Sequence, residues 1–147
     1  MSAPKSIEIQ FVTAESAALL DRVDADVFDH AIDAGSLAGF LANPTNLLVV
    51  ARVDEEVVGM TSAIAYYHPD KPLQLFINEV GVSGRFQRHG IASRLVKAML
   101  ERGRELGCTE AWVATEENNA AARALYDSLG GVEDEDRAIV YVYTLGS

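Results

Sequence analysis

The sequence of 147 residues holds one cysteine and three histidines, and no apolar run approaches the length a membrane-spanning helix needs, about 20 residues. Cys108 therefore cannot close a disulfide within the chain; following Leu106-Gly107 at the mouth of a strand, it reads as a buried structural thiol. His30, His68 and His89 are too scattered to form a zinc-ligand spacing with it, so no metal site is expected. The opening "MSAPKSIEIQFV" lacks the basic-then-apolar layout of a secretion signal, which makes the cytoplasm the expected compartment. Positive charge is scarce as well. Twelve Lys and Arg stand against 22 Asp and Glu, a formal net charge of −10, whose far field repels nucleic acid and anionic membrane and favours a cationic partner. There is no G-x-S-x-G turn, no G-x-x-x-x-G-K-[ST] loop and no G-x-G-x-x-G fingerprint, which argues against a serine hydrolase, a phosphate-loop NTPase and a dinucleotide-binding enzyme. Repeats, low-complexity tracts and linkers are absent too.

What is present is the balance of a globular protein, about half apolar and a quarter charged, of a size for one domain over 1–147. "IEIQFV" (7–12) alternates as a half-buried strand, and Thr13 offers a cap for a helix in "AESAALLDRV". A weak helical region through "DVFDHAI" and "SLAGFLAN" ends at Asn43-Pro44. "NLLVVARV" (46–53), the acidic turn "DEE" and "VVGMTSAIAYY" (57–67) form a hairpin, and "HPDKP" reverses the chain into "LQLFINEVGV" (73–82). The longest helix is "GIASRLVKAMLERGREL" (90–106), stopped by Gly107; "EAWVAT" (110–115) follows as a strand parallel to 73–82. A capped, alanine-rich helix in "NNAAARALYDSLGG" and a last strand, "AIVYVYTL" (138–145), complete a mixed α/β sheet with helices on its faces.

The turn into the long helix is the chemically richest stretch. A helix start leaves backbone N–H groups unpaired at the positive end of its dipole, and Gly90 lets an anion approach that backbone, with Arg85, Arg88 and His89 adding charge around a diphosphate. The alternative is an ordinary solvated turn.

"Gln87-Arg88-His89-Gly90-Ile91-Ala92" resembles the Q/R-x-x-G-x-G/A signature of the GNAT superfamily, the acyl-CoA-dependent N-acetyltransferases. "NEVGV" before it and "NNAAARALYDSLGG" after it stand where that family has its other landmarks, Asn-x-x-Ala-x-x-x-Tyr among them, and order and spacing agree from about residue 46 to 131. The resemblance implies a mostly antiparallel mixed sheet of six to seven strands with about four helices, splayed between strands 73–82 and 110–115 to admit acetyl-CoA. Its pyrophosphate would meet the backbone from Arg85 through Gln87, Arg88, His89, Gly90, Ile91 and Ala92 to Ser93, and its pantetheine arm would pair beside Val80, Gly81 and Val82. Asn119, Ala122 and Tyr126 would complete the cofactor set from the later helix.

A lysine-like amine, with a pKa of about 10.4, must lose a proton before attacking a thioester, and the departing thiolate must gain one. The resemblance implies Glu79 as the base, acting directly or through water, and Tyr126 as the acid, with a backbone N–H near Val82 polarising the carbonyl. Either side chain could instead be structural, Glu79 as a surface carboxylate and Tyr126 as core lining. Within the superfamily the stretch "VVGMTSAIAYYHPDKPLQLFINEVGVSG" through "RHGIASRLV" is similar to the type I aminoglycoside 3-N-acetyltransferases, enzymes of antibiotic resistance. Asp26, Asp29, Asp33, Glu116, Glu117, Asp134 and Asp136 would then rim a cleft for a cationic amino sugar, with Glu79 inside it. Polyamines, small amino compounds and peptide N-termini are the other acceptors such chains use, and a non-catalytic acyl-CoA-binding module is the alternative of a different class. The last strand, internal or an edge, leaves a homodimer open.

Overall fold

The computed structural model describes residues 6–146; residues 1–5 and 147, the ends of the expected 1–147 domain, lie outside the described residues. One five-stranded sheet, in the order β1-β2-β3-β4-β5, organises the chain. β1 (Glu8–Phe11), β2 (Asn46–Val53), β3 (Glu56–Tyr66) and β4 (Gln74–Val82) are antiparallel neighbours, and β5 (Glu110–Val113) joins β4 in parallel. The α-helices are α1 (Ala34–Ala42), α2 (Ile91–Glu105) and α3 (Ala120–Ser128), with a 3-10 helix at Ala14–Leu20 and a shorter one at Gly84–Phe86. The parallel step from β4 to β5 requires a crossover, and α2 provides it.

Alternation along β2 divides the core. Leu47, Val49, Ala51 and Val53 pack with Ile91, Leu95, Val96 and Met99 of α2, while Leu48 and Val50 pack with Val12, Leu20 and Val27 on the other face. Both faces of β2 and β3 are thus covered, which is why they read as nearly unbroken apolar runs. Full burial of each such side chain contributes about 1.5–3 kcal/mol.

Three expectations change. The region 14–20 is a 3-10 helix interrupted at Ser16, whose hydroxyl accepts the Thr13 amide at 2.8 Å. "DVFDHAI" is not helical: Val23 bridges Val57 and Asp24 N–H donates to Val57 O at 2.9 Å, so the segment crosses the ends of β3 and β4 as a loop. Gly81 permits that crossing, because a side chain there would collide with the carbonyl of Val27. Residues 138–145 form no strand within the chain, so the sheet has five strands and not six or seven. Among the described residues no helix is long and apolar enough to cross a membrane.

Candidate functional site

β4 sets up the site by outrunning its neighbour. It pairs with β5 only from Gln74 to Ile77, while its pairing with β3 continues to Val82. The ladder with β3 slips at the point of separation: Ile77 faces Ala63 and Glu79 faces Ser62, leaving Asn78 as an extra residue. A bulge of this kind bends its strand and re-aims the following side chains. Val80, Gly81 and Val82 consequently keep a backbone edge on the β5 side with no strand against it, the splay expected between these two strands.

The chain leaves that edge through a braced turn. Ser83 N–H donates to Val58 O at 2.8 Å, its buried hydroxyl to Asp24 Oδ2 at 2.7 Å, and Gly84 N–H to Asp26 Oδ2 at 2.8 Å. Arg88 (φ 66°) and Gly90 (φ 74°) then take left-handed conformations that set the direction of α2. Gly90 caps α2 without a side chain, and its carbonyl accepts from Arg94 N–H at 3.1 Å. Among the described residues the backbone amides from His89 to Ser93 donate to no group of the chain. Five donors at the positive end of a 15-residue helix make an anion cradle.

Part of the expected ring of positive charge is paired within the chain. Arg85 donates from Nε and Nη2 to Asp24 Oδ2 at 3.0 and 2.6 Å, and from Nη2 to Glu56 Oε1 at 3.0 Å. These bonds brace the turn, while the Arg85 side chain remains 63% exposed. The guanidinium, through its hydrogen bonds, and the Ser83 hydroxyl hold the Asp24 carboxyl below its ordinary range, and Asp24 in turn pushes Arg85 up. Gln87, Arg88 and His89 are exposed around the turn, with the Gln87 amide 3.5 Å from Val82 O.

Glu79 is exposed on β4. Across the strand pair Ser62 has a buried Oγ with no hydrogen-bond partner among the described residues, and opposite residues of a ladder share a face. Tyr126 is half-buried on α3, and desolvation pushes its phenol above the ordinary value of 10.0, so it stays protonated through neutral pH. Asn119 caps α3, its Oδ1 accepting Ala122 N–H at 3.0 Å.

The acidic rim divides into free and committed groups. Asp29, Glu116, Asp134 and Asp136 are exposed, and Asp134 Oδ1 lies 3.4 Å from Asp136 N–H in a local turn. Glu117 forms an ion pair with Arg137, which also binds Glu133 at 3.1 Å. Asp26 braces Gly84, and Asp33 caps α1 by accepting Ser36 N–H at 2.8 Å. Sequence reasoning missed Asp24, whose partners are 59 and 61 residues away. It also missed Ser62, which looks like any strand serine until the register is known.

A braced strand-to-helix turn opens at a splay between parallel strands and presents free amides, an arrangement that suits a ligand with an extended arm and an anionic head. The Acetyltransferase (GNAT) family model matches residues 13–130, and the chain belongs to that family. Among curated relatives, human N-acetyltransferase 8 is 35% identical over 94 residues, 62% of this chain and 40% of that protein. Human N-alpha-acetyltransferase 30 is 32% identical over 96 residues, 65% of this chain and 26% of its own length. L-2,4-diaminobutyric acid acetyltransferase of Methylotuvimicrobium alcaliphilum is 32% identical over 81 residues, 55% of this chain and 46% of that protein. The chain thus spans less than half of each of these relatives. Solved structures share the fold over most of the chain. The aminoglycoside acetyltransferase meta-AAC0020, from an uncultured soil metagenomic sample, superposes with a TM-score of 0.80 at 22% identity, covering 95% of this chain and 97% of that one. AAC(6′)-Iy, in complex with a bisubstrate analog, gives 0.75 at 21% identity, covering 95% and 99%.

Proposed function

We propose that this single-domain chain is an acetyl-CoA-dependent N-acetyltransferase of the cytoplasm that transfers an acetyl group directly to a primary amine of a small polycation of the aminoglycoside kind. The observation that carries the reading is the unpaired edge of β4 running into the free amides of residues 89–93. An extended amide-bearing arm fits the first, and a diphosphate fits the second. Acetyl-CoA, when bound, supplies the activated acyl thioester. Val80, Gly81 and Val82 hold the arm, and the amides from His89 through Gly90, Ile91 and Ala92 to Ser93 hold the phosphates. Glu79 takes the ammonium proton, directly or through water, Tyr126 returns a proton to the leaving sulfur, and a backbone N–H near Val82 faces the carbonyl oxygen.

The acceptor reading is supported by the net charge of −10 and by fold neighbours that are aminoglycoside acetyltransferases, meta-AAC0020 also being known in complex with sisomicin. The 3-N position, suggested by sequence resemblance, competes with the 6′ position of AAC(6′)-Iy. A second reading, acetylation of a peptide N-terminus, is favoured by the likeness to N-alpha-acetyltransferase 30.

Thiol release from acetyl-CoA, measured against aminoglycosides, polyamines and peptides with direct CoA titration alongside, tests both. Turnover on aminoglycosides is expected, and the acetylated position follows from the product. Turnover confined to peptides overturns the acceptor, and binding without turnover on any amine leaves an acyl-CoA-binding module. Tyr126→Phe is expected to lower kcat by about 100-fold with CoA affinity unchanged; an unchanged kcat removes Tyr126 from the reaction.

A further inference from the structure

The sheet carries an aromatic patch that neither core uses. Phe76 of β4 precedes Ile77, which is buried in the core against α2, so Phe76 points to the opposite face. Val12, Leu20 and Val27 fill that face over β2 and β3, but the filling takes in neither Ile64 nor Phe76. Trp112 of β5 stands beside Phe76 in the parallel ladder and stacks on it, ring centroids 4.3 Å apart. It is the one tryptophan of the chain, and it remains 45% exposed. The indole is held in place: its N–H donates to the Tyr66 hydroxyl at 2.7 Å, and that hydroxyl donates to Gln74 Oε1 at 3.4 Å. His68 packs against the Tyr66 ring at 5.1 Å. With its polar atom fixed, the indole offers a rigid apolar face, and an exposed patch of this kind marks a binding surface.

The bulge at Asn78 joins this patch to the proposed base. Without the extra residue, Glu79 would share the α2 face with Ile77. With it, Glu79 stands opposite Ser62, whose other neighbour, Leu48, packs with Val12, Leu20 and Val27. Phe76 and Glu79 therefore share a face, and three residues of strand separate them by about 10 Å. Glu110 stands at the far end, exposed, its Oε1 accepting from Gln74 Nε2 at 3.3 Å. The stacked rings lie between two carboxylates.

We infer that Phe76 and Trp112 form the floor of an acceptor subsite selective for a cyclic polyamine: a saturated amino-sugar ring lies on the indole while its ammonium groups meet Glu79 at one end and Glu110 at the other. Indole is the best aromatic face for a cation, and the C–H face of a sugar ring buries apolar surface against it. Tyr66 acts here as a positioning residue, fixing the indole through its N–H. A linear polyamine would satisfy the two carboxylates and leave the rings uncovered, and a peptide N-terminus would bring one ammonium group to a site with two carboxylates. The inference rests on the acetyltransferase reading of Glu79 and takes it further, from a cationic acceptor to a cyclic one.

Because Trp112 is the single tryptophan, its fluorescence reports on this subsite directly. Sisomicin titrated into the full chain with CoA present is expected to shift the Trp112 emission with the Kd that calorimetry gives, and to shield the indole from acrylamide. Trp112→Ala should weaken sisomicin about tenfold with the Kd for CoA unchanged, and Trp112→Phe should recover most of the loss. Spermidine, a linear polyamine, should bind the parent more weakly than sisomicin, and Trp112→Ala should leave its affinity as it was. Sisomicin binding that leaves Trp112 emission and quenching unchanged overturns the inference alone. So does full sisomicin affinity in Trp112→Ala, or an indole already shielded in the free protein, where the chain itself or a second copy covers the patch. Absence of sisomicin binding at concentrations where CoA titrates overturns the acceptor reading and the inference with it, so the two failures are told apart.

Discussion

At the scale of single residues, the turn into α2 depends on carboxylates from the loop that crosses behind it. Asp24 joins Ser83 to Arg85 and Asp26 holds Gly84, so the turn that presents the free amides is shaped by the loop crossing behind it. Asp24→Asn keeps the size of the side chain but removes the charge that Arg85 needs. It should lower Tm by several degrees at pH 7 and weaken CoA binding about tenfold, read by calorimetry and by titration. The folded carboxyl titrates below the ordinary value of 3.8. Its stabilising contribution is therefore complete above that value and lost as pH falls through the lowered pKa. The Tm gap between parent and Asp24→Asn should accordingly shrink below pH 4, and a gap constant down to pH 2 would deny the charge its role. Glu79, Gly90 and Tyr126 could be named from the sequence because each belongs to a local pattern. Asp24 could not, since its importance arises from contacts with partners far along the chain. Arg85 shows the same in reverse: its nearness to Gly90 in sequence suggests a phosphate ligand, and its pairing with Asp24, 61 residues away, is visible only in the fold.

At the scale of elements, legibility followed the range of the contacts. α2 is readable because Leu95, Val96 and Met99 repeat at helical spacing and all meet one face of the sheet. The loop 21–33 is not, because Val23 and Val27 are held by Val57 and by the space at Gly81, not by their own periodicity. The hairpin of β2 and β3 lies between. Its position follows from the apolar runs, yet its turn sets a poorly suited residue, Glu55 (φ 66°), after Asp54 (φ 50°), both in the left-handed region. A two-residue turn with both centres left-handed favours glycine at the second. Glu55→Gly should relieve about 1–2 kcal/mol of strain and lose part of that to the greater freedom of the unfolded chain, a net gain of about 0.5–1 kcal/mol. Thermal unfolding would show it as a rise of a few degrees, and a fall in Tm would mean that the acidic side chain supports the turn. The segment 138–145 reads as a strand from its charge-free apolar run and forms none in the chain, since composition expresses a preference for extended backbone but supplies no neighbour to pair with.

At the scale of the whole molecule, the charge balance treats the two proposed substrates oppositely. A net charge of −10 draws a polycationic amine inward and opposes the approach of an anionic cofactor. Salt screens such long-range terms, the Debye length falling from about 30 Å at 0.01 M to about 8 Å at 0.15 M. The amides of residues 89–93, in contrast, act at contact range and keep their hold on a phosphate. Raising ionic strength over this interval should therefore increase KM for an aminoglycoside about three- to tenfold, while the Kd for CoA stays level or falls. Steady-state kinetics and calorimetric titration at matched salt would read the two responses. A KM that ignores salt would mean that the acceptor is held by local contacts alone, and the acidic surface would then lose its part in choosing it.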